Sequence, residues 1–308
     1  MEIELVRIKE ELYALIDEFF TDSIRLYARR FLDDKLEEDT HFGLLTLFHY
    51  RMFGGEGDLI YKAGAAMELF MLSYDIFDDV QDQDASHKSW MQIPQPLAIN
   101  VAIGLFNLGH YALQSSSTDL ERLRLVVNMT QRQLLAAVNG QTIDLMNSVV
   151  DMESYMDMIE QKSASMLIMA CMTGVLLATG EYNTTVETYA REMGFGAQLL
   201  NDYRNMIRWE HSSDITSGRR TLPILILLDE LHKAAYLTEA QFDKLSEYIS
   251  NDLFRSEIIR IFEQADVEMY IDVLLRTHYF QCMEHFDSLS LPESSRTLFI
   301  TYFVNGLK

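Results

Sequence analysis

The chain contains, at positions 75–84, the stretch Asp75-Ile-Phe-Asp78-Asp79-Val-Gln-Asp82-Gln-Asp84. Residues 63–74 before it include no proline and suit an α-helix. If that helix continues, four of the aspartates lie three and four residues apart, and their carboxylates share one face. Like charges at this spacing repel each other, and no basic residue within the stretch relieves them. The stretch therefore predicts either a bound cation or a solvated acidic helix end, and the spacing alone leaves both open.

A cation held by these carboxylates would be Mg²⁺ rather than zinc or copper, because Mg²⁺ prefers oxygen ligands together with water and phosphate. The other metal-binding residue types give no competing pattern. The eight histidines show no ligand spacing, and the two cysteines, Cys171 and Cys282, are far apart. Cys171 lies inside the apolar run 166–172, which predicts a buried free thiol rather than a disulfide or a metal ligand.

The composition is that of a folded helical chain. Its 308 residues are 48% hydrophobic and 23% charged, and four prolines and fourteen glycines leave long stretches unbroken. One or two domains would suit this length, and without a linker or repeat we expect a single all-α domain over residues 1–308. Lys and Arg number 25 against 47 Asp and Glu, a formal net charge of −22. That charge argues against nucleic acid and anionic membrane surfaces, and it allows a cationic partner.

The N-terminal sequence Met1-Glu-Ile-Glu is acidic and has no apolar signal region. No apolar run has the length of a membrane span on inspection of the sequence, so we expect no transmembrane segment. The expected location is the cytoplasm.

Helix signals divide the chain into a series of segments. We expect helices over 2–31, 42–53, 120–145, 151–179 and 183–209, one opened by Pro94 and Pro96, a short one after Pro223, one begun by the capping-box pattern 238–241, further ones to 286, and one starting at Pro292. The glycine cluster at 54–57 predicts a turn rather than a phosphate loop, because no strand precedes it and no Gly-Lys-Ser follows.

Methionines are concentrated in the segment 152–172. The interpretation we favour makes them core residues, although a deformable apolar cavity would use the same side chains. The set comprises Met152, Met156, Met158, Met166, Met169 and Met172.

Several segments, in order along nearly the whole chain, resemble the signatures of trans-isoprenyl diphosphate synthases. Each motif is weak alone, but together in register they are a strong signal. They are Ala65-Ala-Met-Glu68-Leu followed by Asp78-Asp79-x-x-Asp82, then Gly140-Gln141-x-x-Asp144, Lys162-Ser163, Gln198-x-x-Asn201-Asp202-x-x-Asn205, Gly218-Arg219-x-Thr221-Leu-Pro223 and Leu291-Pro-Glu-Ser294.

Two departures from that family point to an altered acceptor. No glycine-lysine-arginine motif stands near Gly54-Gly55, and Asp84-Ala-Ser-His87-Lys88 replaces the paired arginines expected after the first aspartate motif. In the family these basic groups bind the diphosphate of isopentenyl diphosphate, and an anion needs such donors to leave water. The remaining pattern resembles peptide-tryptophan prenyltransferases of the ComQ type. That resemblance implies transfer of a geranyl or farnesyl group to a tryptophan of a quorum-sensing pheromone precursor peptide.

The resemblance also assigns roles to individual residues. It implies Mg²⁺-assisted departure of diphosphate from an allylic carbon, which the indole C3 then attacks, and the released diphosphate would take the proton. Asp78 and Asp82 would hold metal with help from Asp79, and Asp202 would hold it from the second motif, which Asn201 and Asn205 complete. Lys162 and Arg219 would bind the diphosphate, Gln141 and Gln198 would orient ligands or waters, and Tyr74 would form the floor of the prenyl pocket.

Each assignment has a plain structural alternative. The aspartates could be a solvated face, the Asn-containing motif an inert remnant, and Lys162, Arg219 and Gln141 ordinary surface, ion-pairing or capping residues. For the chain as a whole, the alternatives are a short-chain trans-isoprenyl diphosphate synthase and a non-catalytic subunit of a heteromeric synthase. A terpene cyclase is disfavoured, because Asn205 and Trp209 stand where its second metal motif needs Ser or Thr and Glu. The resemblance is compatible with a homodimer.

Overall fold

A computed structural model describes residues 1–38, 42–83, 85–207, 219–233, 260 and 266–307. These residues form helices, turns and short connections, with no strand among them, and the predicted all-α class is confirmed. The polar loop 211–218 and the predicted capping box at 238–241 lie outside the described residues.

The helices follow the chain in this order: α1 Glu2–Phe19, α2 Asp22–Leu36, α3 Phe42–Met52, α4 Ile60–Asp82, α5 Gln95–Gln114, α6 Leu120–Leu145, α7 Met152–Ile159, α8 Ser165–Thr179, α9 Thr184–Ile207, α10 Leu222–Lys233, α11 Val267–Ser288 and α12 Glu293–Phe299. A π-helical turn, Glu160–Ala164, joins α7 to α8 without a break. A second π-helical turn, Ile300–Val304, and a 3₁₀ turn, Asn305–Leu307, follow α12.

The helices group into two compact units. The first consists of Met1–Gln131 with Met169–Thr184, and the second of Arg132–Ile168 with Thr185–Lys308. The single domain expected from the sequence stays a prediction.

The N-terminal helix is shorter than predicted. Instead of one helix to Phe31, α1 ends at Phe19 and α2 begins at Asp22, because Phe20 and Thr21 take extended backbone with ψ 136° and 161°. The guanidinium of Arg25 donates two hydrogen bonds to the Phe20 carbonyl oxygen, at 2.7 and 3.1 Å, and this contact stabilises the bend. Thr21 followed by Asp22 is a helix-start signal, which the apolar periodicity of the region obscured. α2 continues to Leu36, five residues beyond the predicted end at 31.

α4 carries the aspartates to its last turn, as predicted. It runs from Ile60 to Asp82 and ends where Gln83 takes the left-handed conformation. The glycine turn before it is also confirmed, since Gly54 and Gly57 have φ angles of +80° and +94°. The residues of α4 from Ala63 to Phe70 are buried, so α4 is a core helix whose acidic end reaches solvent.

Two glycines of the second unit press against the π-helical turn Glu160–Ala164. A Cβ atom on Gly140 would lie 2.2 Å from the Lys162 backbone nitrogen, and one on Gly194 would lie 2.3 Å from the Ala164 Cα atom. Neither distance leaves room for a side chain, so α6 and α9 approach this turn backbone to backbone. The turn itself is defined by the Ser165 N–H, which donates to the Glu160 carbonyl five residues earlier.

The sulfur-containing residues lie where a core interpretation puts them. Met158, Met166, Met169 and Met172 are buried, and Met152 and Met156 pack partly buried against an apolar cluster of the second unit. Both cysteines are free and buried, as predicted for Cys171.

Two helical stretches are long and apolar enough to cross a membrane: α5 and the continuous stretch Met152–Thr179. The expectation that no apolar run has this length is therefore wrong, judged by length and composition. The most apolar window is 44% buried within the protein in the first stretch and 72% buried in the second. The burial of the second stretch is what a core helix shows, and the expected absence of a transmembrane segment stays a prediction.

Candidate active site

The aspartate-rich end of α4 presents partly exposed carboxylates from Asp75, Asp78, Asp79 and Asp82. Asp79 is oriented by a tryptophan, since the Trp90 indole Nε1 donates to its Oδ2 at 2.6 Å. Trp90 is itself buried and stacks edge-on against Phe31. This contact holds Asp79 against the protein, and no pattern in the sequence predicts it.

Asp75 belongs to a group of four charged side chains that we name the lysine–carboxylate cluster: Lys35, Glu38, Asp75 and Lys88. The Lys35 ammonium lies 2.7 Å from Asp75 Oδ2 and 2.6 Å from Glu38 Oε2, and the Lys88 ammonium lies 2.8 Å from Glu38 Oε1. Only 5% of Lys35 is exposed. The two positive and two negative charges cancel. The cluster therefore lies beside the aspartate motif without adding net charge to it.

Burial and charge act against each other within this cluster. Burial disfavours the charged form of Lys35, but the Asp75 and Glu38 carboxylates beside it raise its pKa above the usual value. Burial also raises the pKa of Asp75, with the Lys35 ammonium opposing that change. For Glu38, burial is outweighed by Lys35 and Lys88, which lower its pKa. The cluster is held by mutual neutralisation, so removing one member takes a partner away from a charge that is buried or partly buried.

Asp78 and Asp82, the first and last aspartates of the motif Asp78-Asp79-x-x-Asp82, are the candidate Mg²⁺ ligands. They are one helical turn apart on the exposed end of α4. Mg²⁺ is commonly bound by one or two carboxylates and completed by water and substrate phosphate oxygens. Among the described residues, no three His, Cys, Asp or Glu side chains form a metal cluster. A pair of carboxylates at an exposed helix end fits a partial ligand set of the magnesium kind.

Tyr74 lies one turn before Asp78 and is half-buried. Its ring centroid is 6.2 Å from that of Phe106 on α5, and Phe106 in turn contacts Phe70 and His110 at 5.5 and 4.8 Å. Burial raises the pKa of Tyr74 to about 12, so it is a neutral phenol at any physiological pH. An aromatic layer thus lies directly below the carboxylates in the first unit.

The second unit brings together the two predicted diphosphate-binding cations. Lys162 Nζ lies 2.6 Å and Arg219 Nη1 lies 3.2 Å from the same oxygen, Asp144 Oδ2. All three side chains are mostly buried. Asp144 thus holds the two cations together within the second unit. Asp144 belongs to the motif Gly140-Gln141-x-x-Asp144, but no pattern in the sequence indicates that it joins these two cations.

Asp202 on α9 is 2% exposed and is held at both oxygens. The Tyr155 hydroxyl donates to Oδ2 at 2.7 Å and the Gln198 amide donates to Oδ1 at 2.7 Å. Gln198 in turn accepts a hydrogen bond from Ser163, which directly follows Lys162. The structure therefore connects the predicted residues Gln198 and Asp202 through hydrogen bonds that orient the carboxylate.

The other residues of the second motif are placed differently. Asn201 is exposed and Asn205 is partly buried, so they lie on a more open face of α9 than Asp202. Gln141 lies on α6 with its Oε1 atom buried, next to the Gly140 contact with Lys162. The roles proposed for these three residues stay predictions.

Comparison with known proteins identifies the family. The sequence profile described as polyprenyl synthetase matches residues 42–259, which include both aspartate-containing motifs. The chain belongs to the polyprenyl synthetase family. It is similar to the Tryptophan prenyltransferase ComQ of Bacillus subtilis strain 168, with 31% identity over 91% of each chain. It is 24% identical to a Short chain isoprenyl diphosphate synthase of Methanothermobacter thermautotrophicus, covering 82% of this chain and 81% of that one.

Solved structures agree with this assignment at the level of the fold. The Geranylgeranyl Pyrophosphate Synthetase from the archaeon Geoglobus acetivorans superposes with a TM-score of 0.81 and 17% identity, covering 100% of this chain and 99% of that one. The assignment to the ComQ type within the trans-isoprenyl diphosphate synthase superfamily is confirmed, as is the assignment as a prenyltransferase.

Proposed function

We propose that this prenyltransferase moves a geranyl or farnesyl group from its diphosphate to a tryptophan of a quorum-sensing pheromone precursor peptide, in the cytoplasm and with Mg²⁺. The observation that carries this proposal is the similarity to a protein named Tryptophan prenyltransferase ComQ over 91% of both chains. The distribution of charge supports it. In the second unit, Lys162 and Arg219 lie at one carboxylate, and in the first unit Lys35 and Lys88 are paired with Glu38 and Asp75.

The donor diphosphate would bind at the Lys162–Arg219 pair. Asp144 holds both cations close together, so they are positioned before the substrate arrives. Guanidinium and ammonium groups that are already desolvated bind phosphate oxygens strongly. When bound, Mg²⁺ would stabilise the negative charge on the departing diphosphate. Asp78 and Asp82 are the ligands proposed in the first unit, and Asp202, with neutral oxygen ligands from Asn201 and Asn205, is the ligand proposed in the second. Gln198 orients Asp202 for this role, and Gln141 would orient ligands or waters.

At the acceptor, the allylic C–O bond breaks and a bond forms between that carbon and the indole C3. The cation formed by this attack then loses a proton, which would pass to the released diphosphate. An indole is uncharged, so its binding requires no cationic pocket. This agrees with the first unit, where the two lysines of the lysine–carboxylate cluster are neutralised by Glu38 and Asp75.

Mass spectrometry of a tryptophan-containing peptide, after incubation with geranyl or farnesyl diphosphate and Mg²⁺, tests the proposal. We expect a mass increase of one prenyl group, located on tryptophan by fragmentation. A peptide with phenylalanine in place of that tryptophan is the matched control and should stay unmodified. Loss of transfer in EDTA, restored by added Mg²⁺, tests the metal requirement. Absence of any prenylated tryptophan with both donors would refute the proposed activity. From the family resemblance we also propose a homodimer. Light scattering after gel filtration tests it.

The main alternative, a short-chain isoprenyl diphosphate synthase, is favoured by the 24% identity to a synthase of that name. It leads to a distinct prediction. We expect no longer prenyl diphosphate from isopentenyl diphosphate plus an allylic diphosphate, because the basic groups for a second diphosphate are absent or already paired. Chromatography of the prenyl products checks this result. Efficient chain elongation would contradict the altered acceptor.

Tyr74→Ala tests the pocket floor. If the ring closes the pocket, its removal admits a longer donor, and each additional buried CH₂ contributes about 0.8 kcal/mol. We expect the preference among geranyl, farnesyl and geranylgeranyl diphosphates to move towards the next longer donor. If Tyr74 is only a core aromatic packed on Phe106, stability falls by about 3 kcal/mol and the preference is unchanged. A competition assay with the three donors separates these outcomes, with Tyr13→Ala, another half-buried tyrosine of the first unit, as control.

A further inference from the structure

Glu38 is the central residue of the lysine–carboxylate cluster. Each of its carboxylate oxygens contacts a different ammonium group, Oε2 that of Lys35 and Oε1 that of Lys88. Lys35 has a second carboxylate partner in Asp75, but Glu38 is the carboxylate that joins the two lysines. Since 35% of its side chain is exposed, a ligand arriving from solvent would meet Glu38 before Lys35.

The cluster adjoins the aspartate-rich end of α4. Asp75 is three residues before Asp78 on that helix. The Lys88 ammonium lies 5.2 Å from the centroid of the Trp90 ring, and Trp90 donates to Asp79. Two lysines at this position are a pair of cationic donors of the kind that binds phosphate, and in this chain a carboxylate of the protein occupies both.

We propose that Glu38 is a specificity-determining residue that excludes anionic acceptors by occupying both lysines. This inference rests on the proposed function and names the acceptor class as uncharged at the reacting end. A diphosphate entering here would have to displace a carboxylate from two partly buried ammonium groups, and until displaced that carboxylate repels it. Selectivity against a ligand is often achieved by such a repulsive group rather than by better contacts to the preferred one.

The test is the binding of radiolabelled isopentenyl diphosphate, measured by equilibrium dialysis without an allylic donor. Glu38→Gln keeps the size of the side chain and removes its charge. We expect this variant to bind isopentenyl diphosphate about tenfold more tightly than the wild type, as for one added charge-assisted contact. Binding at the Lys162–Arg219 pair is common to both proteins and cancels in the comparison. Glu38→Ala, which also vacates the space, should show a gain in the same direction, and circular dichroism confirms that each variant is folded.

Two matched variants make the result specific. In Glu38→Gln with Lys88→Met, the methionine preserves packing on Trp90 but offers no cation, so the gain should disappear. Glu121→Gln removes one negative charge from an exposed pair with Arg124 elsewhere in the first unit and should bind as the wild type does. The proposal is overturned if both Glu38 variants bind like the wild type, if the gain survives Lys88→Met, or if Glu121→Gln reproduces it. Because this readout involves no tryptophan peptide, its failure is distinguishable from failure of the proposed transfer.

Discussion

Asp78→Asn and Asp82→Asn are each expected to lower prenyl transfer by about a thousandfold or more, while the protein keeps its helical fold. Replacing one carboxylate removes a charged ligand, and the charge stabilisation that a bound metal gives to a leaving group amounts to several kcal/mol. The helix should not suffer, because the substitution relieves like-charge repulsion on one face. Transfer assays and circular dichroism on each variant measure both effects.

Two controls show whether the loss is specific to these positions. Asp272→Asn removes one charge from an exposed pair with Arg276 in the second unit and should retain full activity. Asp75→Asn lies in the same motif but removes a partner of buried Lys35, so we expect lower stability. Wild-type transfer rates in both Asp78→Asn and Asp82→Asn would end the metal hypothesis.

The difference in stability between Glu68→Gln and the wild type is expected to change by about 3 kcal/mol between acidic and neutral pH. Glu68 is 2% exposed on α4, its Oε1 accepts from the Gly43 backbone N–H at 2.7 Å, and its Oε2 has no hydrogen-bond partner among the described residues. Burial raises the pKa of Glu68 to about 7, although the Lys35 ammonium and the Gly43 N–H act in the opposite direction. The folded protein therefore retains the Glu68 proton over a pH range in which the unfolded chain has lost it.

The direction follows from which state binds more protons. Between the ordinary value of 4.5 and about 7, the folded state binds the proton and the unfolded state does not, so stability falls as pH rises. Above this window the stability contributed by the Glu68 proton has been lost completely. That contribution is about 1.4 kcal/mol for each unit by which folding raises the pKa. Glutamine carries no such proton. We therefore expect the stability of Glu68→Gln relative to the wild type to rise by about 3 kcal/mol between pH 4.5 and pH 8.

Urea unfolding at a series of pH values measures this difference. A constant offset between the two curves reports the altered packing of the amide, whereas a gap that widens with pH reports the Glu68 proton. Exposed Glu121→Gln should run parallel to the wild type at every pH. Parallel curves for Glu68→Gln would show that Glu68 ionises normally in the folded protein.

Local signals in the sequence predicted much of the fold. The predicted α3, α5 and α6 agree with the structure to within a residue or so, because prolines, glycines and caps act over a few positions. Asp119 is one such cap, with its carboxylate accepting from the Glu121 and Arg122 backbone N–H groups. The break at Phe20 was missed because an uninterrupted apolar periodicity covered a two-residue bend.

The candidate site was predictable in its residues but not in its connections. The motifs identified Asp78, Lys162 and Arg219 as candidates, yet nothing local indicates that one oxygen of Asp144 holds both cations. The partners of Lys35 are equally invisible, since Asp75 is far from it along the chain. Such pairings depend on how helices pack, and a residue's partners cannot be read from its sequence neighbours.

The π-helical turn before α8 has a consequence for how this lineage could change. A π-helical turn closes its hydrogen bond over five residues, one more than an α-helical turn. Deleting one codon within Glu160–Ala164 would therefore turn this segment into ordinary α-helix, continuous with the helices on either side. Lys162 and Ser163 lie inside that turn and the apolar α8 follows it. The ammonium group that contacts Asp144 is thus one in-frame deletion away from losing its position, without any substitution of its own.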